Sequence, residues 1–452
     1  MSSKHQINMT QGNLIPKMLK FALPLILTGT LQLLYNAADI VVVGQFAGTD
    51  ALSAVGSTGA LINLLINLFM GLSIGTSVLM SKYFGAYDYD GMQKTLHCSI
   101  AVALVAGVFV SVLGVVACEP MLILMNTPAE VLDDATLYMR IFFLGMPFNM
   151  LYTFGSAALR AVGDTKRPLI FLSISGIINV ILNLIFVIVF KMGVAGVALA
   201  TIIAQAVSMV FVVKCLMKSE GAMNLNIKEI RIYKDKLIML IKIGLPAGIQ
   251  GSFFSISNML IQSSINGFGA VAMAGNAASA NLEGFVYTSM NAIYQTNLTF
   301  VSANVGAKKY DRVKKCLLYS FLIVTAVGLF VSYTIILFGN VLISLYNNDP
   351  TVIAYGTDRL TLICSLYFLC GVMEVLVGQL RGLGYSFVPM IVTLCGVCLV
   401  RVIWVYTVFV AFPSLTTLYI SYPVTWTITC LAHLTSYFIV MKRIRKKQAL
   451  NN

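Results

Sequence analysis

The chain has 452 residues, of which 58% are hydrophobic and only 10% are charged. A water-soluble protein of this length needs more charged residues than this on its surface. We therefore expect an integral membrane protein. The formal net charge is +13. The basic residues lie in loops between apolar runs and not in an aromatic-interleaved basic stretch, which argues against a nucleic-acid partner.

Continuous apolar runs, each long enough to cross a bilayer as a helix, recur along the chain. They predict twelve transmembrane helices, near residues 16–44, 51–80, 95–117, 135–158, 168–190, 193–214, 240–265, 271–301, 316–338, 354–380, 386–410 and 415–441. Successive loops alternate in charge: one loop carries Lys and Arg residues, and the next has almost none. Because basic loops stay on the cytoplasmic side, we expect both termini to be cytoplasmic, in a bacterial plasma membrane.

The two halves of the sequence repeat one another. Gly85-Ala86 matches Gly306-Ala307, and Leu159-Arg160 matches Leu380-Arg381 at the same offset. We therefore predict an all-α membrane protein with an amino-terminal six-helix lobe (1–217), a cytoplasmic linker (218–236) and a carboxy-terminal six-helix lobe (237–452). Six is an even number, so the lobes insert with the same orientation and form a direct, parallel repeat.

Two similar lobes favour a secondary transporter that works by alternating access. A channel would need a filter loop, and none is visible in the sequence. A membrane enzyme would need clustered nucleophiles or metal ligands at membrane depth, but the only His away from the end of a predicted span is His433. We expect no enzymatic activity, no cofactor and, since no phosphate-binding loop is present, no direct use of ATP.

Short motifs in both halves resemble those of the multidrug and toxic compound extrusion (MATE) family. They are Asp39-x-x-x-Val43-Gly44, the two Gly-Ala pairs, Leu159-Arg160-x-x-Gly163-Asp164-x-x-x-Pro168, Asn179-x-x-x-Asn183 and Gly193-x-x-Gly196-x-Ala198-x-Ala200-Thr201. The resemblance covers nearly the whole chain. It implies an antiporter that exports organic, often cationic, drug-like compounds in exchange for H+ or Na+. We expect small-molecule substrates, a surrounding lipid bilayer and a monomeric protein.

Ionisable residues inside spans need a partner or a cavity, because each costs about 2.5–3.5 kcal/mol at the centre of the bilayer. Asp39 lies in the outer half of the first span, and Asn179 and Asn183 share one face of the fifth. Thr201 reaches a comparable depth in the sixth span. We expect these four side chains to meet in a cation-coupling site, where the carboxylate binds H+ or, with the neighbouring oxygens, Na+.

The resemblance points to the same place, since one branch of the family has its cation site on these spans. That branch often carries a second carboxylate where Asn183 stands here. The coupling ion therefore stays open between H+ and Na+. The structural alternative for Asp39 is an interhelical hydrogen bond.

Four further ionisable residues lie in predicted spans of the second half and are candidates for secondary coupling or ion pairing. They are Glu283, Glu374, Arg401 and His433. One hypothesis pairs Glu374 or Glu283 with Arg401 as a buried ion pair without a transport role. For His433 an interhelical hydrogen bond is favoured over a role in transport.

Aromatic and amide side chains at membrane depth are candidates for the substrate cavity, because rings and amides bind organic cations. The selected residues are Tyr35, Asn36, Asn149, Tyr152, Gln262, Tyr287 and Tyr294. A flippase or exporter of a lipid-linked or other amphiphilic metabolite on the same fold is the alternative function. A lipid-linked pyrophosphate would call for several central Arg or Lys residues, whereas Arg401 is the only central one recognised in the sequence.

Overall fold

The computed structural model describes residues 6–125 and 127–450, except for the side chains at positions 49, 50, 52, 57, 60, 64 and 65. The extreme ends of the two predicted lobes, and with them both termini, lie outside the described residues. Every regular element within the described part is helical. The all-α prediction is therefore confirmed.

The helices of the first half follow the predicted spans closely. They are α1 (Leu14–Phe46), α2 (Thr49–Ala86), α3 (Tyr89–Leu124), α4 (Ala129–Leu144), α5 (Met146–Ala161), α6 (Lys166–Leu184) and α7 (Gly193–Met217). A π-helical turn, Ile185–Val189, continues α6. The pair α4 and α5 bends by 46° and together covers the fourth predicted span.

The helices of the second half repeat this order. They are α8 (Lys234–Asn266), α9 (Ala270–Gly306), α10 (Tyr310–Leu337), α11 (Gly339–Ser344), α12 (Pro350–Cys364), α13 (Phe368–Gly382), α14 (Phe387–Thr393), α15 (Val400–Tyr406), α16 (Val408–Ala411) and α17 (Leu415–Leu450). A π-helical stretch, Leu394–Leu399, joins α14 to α15. The pair α12 and α13 bends by 46°, as α4 and α5 do.

In the described residues, 8 helices are long and apolar enough to cross a membrane, and counting each bent pair as one span gives up to 11. Helix α9 covers the remaining predicted span and is 37 residues long. It carries buried polar side chains, among them Asn276, Glu283 and Asn297. A polar helix of this length needs protein partners for these groups within the membrane.

Contacts divide the chain into two compact units. The first consists of the residues up to Asn8 together with Leu27–Gly248, and the second consists of Met9–Ile26 and the residues from Ile249 onward. Both α1 and α8 pass from one unit to the other two residues after an internal proline, Pro24 or Pro246. Proline interrupts helical hydrogen bonding, so the two changes of unit occur where each helix is easiest to bend.

The linker between the halves contains two short 3-10 turns, Gly221–Met223 and Ile227–Glu229. It docks onto α3 in the first unit. The backbone N–H of Asn226 donates to Nε2 of His97 at 3.1 Å. The side chain of Met223 is buried. These contacts tie the linker to the helical bundle along its length.

Two pairs of glycines let α2 and α8 approach closely within the first unit. A Cβ atom added to Gly71 would lie 2.1 Å from the backbone nitrogen of Gly248, and one added to Gly75 would lie 2.6 Å from the carbonyl oxygen of Leu240. Both helices carry the small-x-x-x-small spacing that allows such contact, Gly71 with Gly75 and Gly244 with Gly248.

We expect Gly71→Ala to lower the free energy of unfolding by about 3 kcal/mol, because backbone atoms cannot move aside as a side chain can. Gly59→Ala on the same helix is the matched control, since no described atom lies within 4 Å of its added Cβ. It should be neutral or stabilise the protein by up to about 1 kcal/mol. Thermal unfolding in detergent measures both, and equal stability of the two variants would contradict this packing.

Candidate functional site

The four side chains predicted for the coupling site meet in the first unit. Asn183 Nδ2 donates to a carboxylate oxygen of Asp39 and, at 3.3 Å, to Oδ1 of Asn179. Asn179 Nδ2 in turn donates to the Thr201 hydroxyl at 3.4 Å. Helices α1, α6 and α7 thus contribute to one continuous hydrogen-bonded chain that ends on a single carboxylate.

Local packing fixes the position of Asp39. Tyr35 lies one turn before it on α1 and donates its hydroxyl to the Ser173 carbonyl at 3.2 Å. A Cβ atom on Gly176 would lie 1.9 Å from the Tyr35 ring, so glycine at this position of α6 makes room for the ring. Tyr35 was predicted for the cavity wall, and the structure places it as a contact that holds α1 against α6 beside Asp39.

Helices α6 and α7 are also joined by side chains on one side of the site, before Asn179 on α6 and after Thr201 on α7. Ser208 donates to the Ser175 hydroxyl at 2.5 Å. The rings of Phe171 and Phe211 stack with centroids 5.7 Å apart. The π-helical turn begins two residues after Asn183, and such turns often occur beside functional residues.

The carboxylate of Asp39 has no cationic partner among the ion pairs that the described residues form. Asn183 is fully buried and Asn179 is 5% exposed, whereas Asp39 is partly accessible. The Oδ1 atom of Asn183 has no hydrogen-bond partner in the described part of the chain. A carboxylate with amide and hydroxyl neighbours but no fixed countercharge is suited to bind a cation reversibly.

Glu283, in the second unit, forms a buried bidentate ion pair with Arg359. Arg359 Nε donates to Oε1 of Glu283 at 2.7 Å and Nη2 to Oε2 at 2.8 Å. Arg359 Nη1 donates to Asn276, whose amide donates to Gln262 at 2.8 Å. The predicted pairing of Glu283 with Arg401 is therefore wrong. Arg359 was missed because it lies in an otherwise apolar run, although its neighbour Asp358 marks a charged position there.

Glu374 is buried on α13 and forms no ion pair with a described residue, so its predicted pairing with Arg401 is wrong as well. Arg381, seven residues later on the same helix, is the cation that interacts with it electrostatically. Arg381 donates to the Tyr294 hydroxyl at 2.6 Å and to Gln250 at 2.8 Å. His433 is fully buried, and its Nε2 hydrogen-bonds to Thr393 at 3.1 Å.

Arg401 is fully buried on α15, where its Nη1 donates to Oδ1 of Asn258 at 2.8 Å. The guanidinium lies over the ring of Tyr422, 4.2 Å from its centroid. The sequence indicated that Arg401 is the only central arginine. The structure shows two more buried arginines in the same unit, Arg359 and Arg381. The charge of Arg359 is compensated by Glu283, and that of Arg401 has no such partner among the described residues.

The remaining cavity candidates differ in exposure and in the hydrogen bonds that they form. Asn36 and Gln262 are exposed on their helices, while Tyr287 is partly buried. Tyr152 donates to the Pro168 carbonyl at 3.2 Å. Asn149 accepts from Thr153 at 3.5 Å. Tyr152 and Asn149 therefore make contacts that also stabilise helix packing.

A family model decides what kind of protein carries these sites. The MatE model matches residues 24–185 and again residues 246–407. The chain belongs to the MatE family. The double match also confirms the direct repeat. As a MatE protein, the chain is a multi-pass integral membrane protein of a multidrug efflux transporter family.

Curated relatives of this MatE protein carry transport names. It is 27% identical over 392 residues to the probable multidrug resistance protein YpnP of Bacillus subtilis (strain 168), covering 87% of this chain and 88% of that protein. It is 23% identical over 391 residues to the multidrug export protein MepA of Staphylococcus saprophyticus, covering 86% of each.

Solved structures show the same fold. The outward-facing conformation of a multidrug resistance MATE family transporter of the MOP superfamily matches with a TM-score of 0.91 and 20% identity, over 99% of this chain and 100% of that one. A MOP superfamily transporter from Pyrococcus furiosus matches with a TM-score of 0.90 and 20% identity, over 98% and 99% of the two chains. The fold of this MatE protein is therefore shared with transporters of known structure.

Proposed function

We propose that this MatE protein is a secondary antiporter that exports organic, often cationic, drug-like compounds in exchange for H+, with Asp39 as the coupling carboxylate. The observation that carries the proposal is the hydrogen-bonded chain from Asp39 through Asn183 and Asn179 to Thr201. The names of the relatives support export of drugs. Two repeated halves support alternating access.

Coupling requires that the ion and the substrate compete for one site or that they stabilise different conformations of the protein. A single carboxylate can do this by binding and releasing one proton per cycle. The neighbouring amide and hydroxyl groups keep the carboxylate in place in both of its charge states. No further ionisable group is needed in the first unit.

The charge of the site favours H+ over Na+. Asn183 places an amide, and not a second carboxylate, beside Asp39. A sodium site needs several oxygen atoms directed at one point, and the four residues supply only one negative charge. A proton requires the carboxylate alone. Na+ coupling is the alternative that the transport experiment distinguishes.

The test is efflux of ethidium from proteoliposomes that contain the purified protein, driven by an imposed pH gradient or by an imposed Na+ gradient. We expect the pH gradient to drive efflux and the Na+ gradient at constant pH to have no effect. Efflux driven by Na+ alone would reject proton coupling. Absence of efflux under both gradients, with the protein folded, would reject export of organic cations.

We expect Asn183→Asp to change the ion preference. The substitution places a second carboxylate against Asp39 and replaces the amide nitrogen with oxygen, so the site gains both the charge and the ligands that Na+ prefers. Efflux in a Na+ gradient should become measurable. Asn226→Asp, in the linker of the same unit, is the control and should leave Na+ without effect, because Asp keeps the acceptor for the Lys228 backbone N–H. Equal behaviour of the two variants would contradict the site.

A further inference from the structure

Arg401 presents an unoccupied hydrogen-bonding edge inside the second unit. Its side chain is fully buried, and only Nη1 has a partner, Oδ1 of Asn258 at 2.8 Å. Nε and Nη2 have no hydrogen-bond partner among the described residues. A guanidinium stays protonated in proteins, so this charge cannot be removed by releasing a proton.

Nε and Nη2 lie along one edge of the planar guanidinium group, and their N–H groups form a fork. In the same unit, Arg359 uses its own Nε and Nη2 to bind both carboxylate oxygens of Glu283, at 2.7 and 2.8 Å. Arg359 therefore shows what this edge binds when a carboxylate is available. A fork of two parallel N–H groups matches a carboxylate better than it matches a spherical anion.

No side chain of the described residues supplies that carboxylate to Arg401. The groups that interact electrostatically with it are Tyr422, Cys370, Cys398 and Tyr367. An uncompensated buried charge is strongly destabilising, and a carboxylate from outside the chain would remove this cost. The open edge of Arg401 is thus suited to bind a carboxylate from outside the chain.

The surroundings of Arg401 are aromatic. Its guanidinium lies 4.2 Å from the Tyr422 ring centroid and 5.5 Å from that of Phe254. Trp426 packs against Tyr422, with ring centroids 5.8 Å apart, and its buried Nε1 has no hydrogen-bond partner in the described part of the chain. Ring faces and edges of this kind favour a planar aromatic body next to the bound anion.

We propose that the Nε and Nη2 edge of Arg401 binds the carboxylate of an aromatic small molecule, so that the compounds handled by this protein include aromatic acids and zwitterions. That these compounds are transported rests on the proposed antiport function. Binding itself does not depend on it, because Arg401 and its neighbours lie in the second unit and Asp39 lies in the first. Arg401 is fully buried here, so the ligand is enclosed when bound and enters through another conformation.

The test measures the thermal unfolding temperature of the full chain in detergent with 1-naphthoate as probe. We expect a saturable rise with 1-naphthoate and at least a tenfold weaker response to acetate, which has no ring, and to 1-naphthalenemethanol, which has no charge. An equal response to acetate would reject the aromatic part, and an equal response to the alcohol would reject the carboxylate. An equal response to 1-naphthyl phosphate would show a phosphate site instead.

Variants separate binding at Arg401 from binding elsewhere. Arg401→Gln should lose the response to 1-naphthoate, and Arg401→Lys, which keeps the charge but not the fork, should weaken it at least tenfold. An undiminished response in either folded variant would overturn the proposal. Arg140→Gln is the control, because Arg140 lies in an exposed pair with Glu119 in the first unit, and it should keep the response.

Cys370→Asp provides a test that does not depend on removing Arg401. Cys370 is buried beside the guanidinium, so an aspartate there would supply an internal carboxylate to the open edge. We expect a higher unfolding temperature without ligand and no response to 1-naphthoate. An unchanged response would overturn the proposal.

The two proposals can fail separately. If the parent protein does not bind 1-naphthoate but still exports ethidium, only this inference is rejected. If it binds 1-naphthoate but shows no gradient-driven efflux, only the antiport function is rejected.

Discussion

Replacing Asp39 by Asn should reduce pH-gradient-driven ethidium efflux to the rate of protein-free liposomes. The asparagine keeps the size of the side chain and its hydrogen bond to Asn183, but it cannot bind and release a proton. The loss is expected in coupled transport and not in folding, because the neutral amide costs less to bury than a carboxylate. Efflux from proteoliposomes and thermal unfolding in detergent measure the two effects separately.

Two further variants control this result. Asp39→Glu keeps the ionisable group and should retain part of the efflux. Glu119→Gln removes a carboxylate from a pair with Arg140 in which both side chains are about half exposed, and it should transport at the parental rate. Full coupled efflux in Asp39→Asn would move coupling to another carboxylate. Glu374 is the next candidate, because it is buried and forms no ion pair with a described residue.

Breaking the buried pair of Glu283 and Arg359 should have the largest effect on stability. Glu283→Gln leaves the Arg359 guanidinium buried without a countercharge, and we expect the free energy of unfolding to fall by about 3–5 kcal/mol. The two groups are only 9% and 6% exposed and share two hydrogen bonds. Denaturant unfolding in detergent measures the change.

The control for this prediction is the exposed pair of Arg140 and Glu119, joined at 2.7 Å. Its distance is the same as in the buried pair, but water screens it, so Glu119→Gln should cost about 0–1 kcal/mol. The double variant Glu283→Leu with Arg359→Met should recover much of the lost stability, because no charge is then left uncompensated. Similar costs for Glu283→Gln and Glu119→Gln would contradict a buried ion pair.

The site in the first unit could be predicted from the sequence because it depends on depth and helical spacing. Asn179 and Asn183 are four residues apart, so they share a face of α6, and the positions of Asp39 and Thr201 in their spans set their depths. The repeat likewise placed the two Gly-Ala pairs and the two Leu-Arg pairs at corresponding positions of the two halves. These features follow from counting along helices and need no knowledge of which helices touch.

The arrangement of charges in the second unit could not be predicted in this way. The choice between Arg359 and Arg401 as the partner of Glu283 depends on how each helix is rotated about its axis. Hydrophobicity does not fix that rotation when several faces are apolar. The open edge of Arg401 also depends on side-chain orientation, which no sequence pattern records.

Proton release on substrate binding is the measurement that tests the role of Asp39 most directly. Purified protein in weakly buffered detergent is mixed with ethidium while a pH indicator reports protons released and fluorescence reports ethidium bound. If ethidium and H+ compete through Asp39, the parent and Glu119→Gln release protons, and Asp39→Asn binds ethidium without releasing any. Undiminished proton release from Asp39→Asn would contradict the assignment of coupling to Asp39.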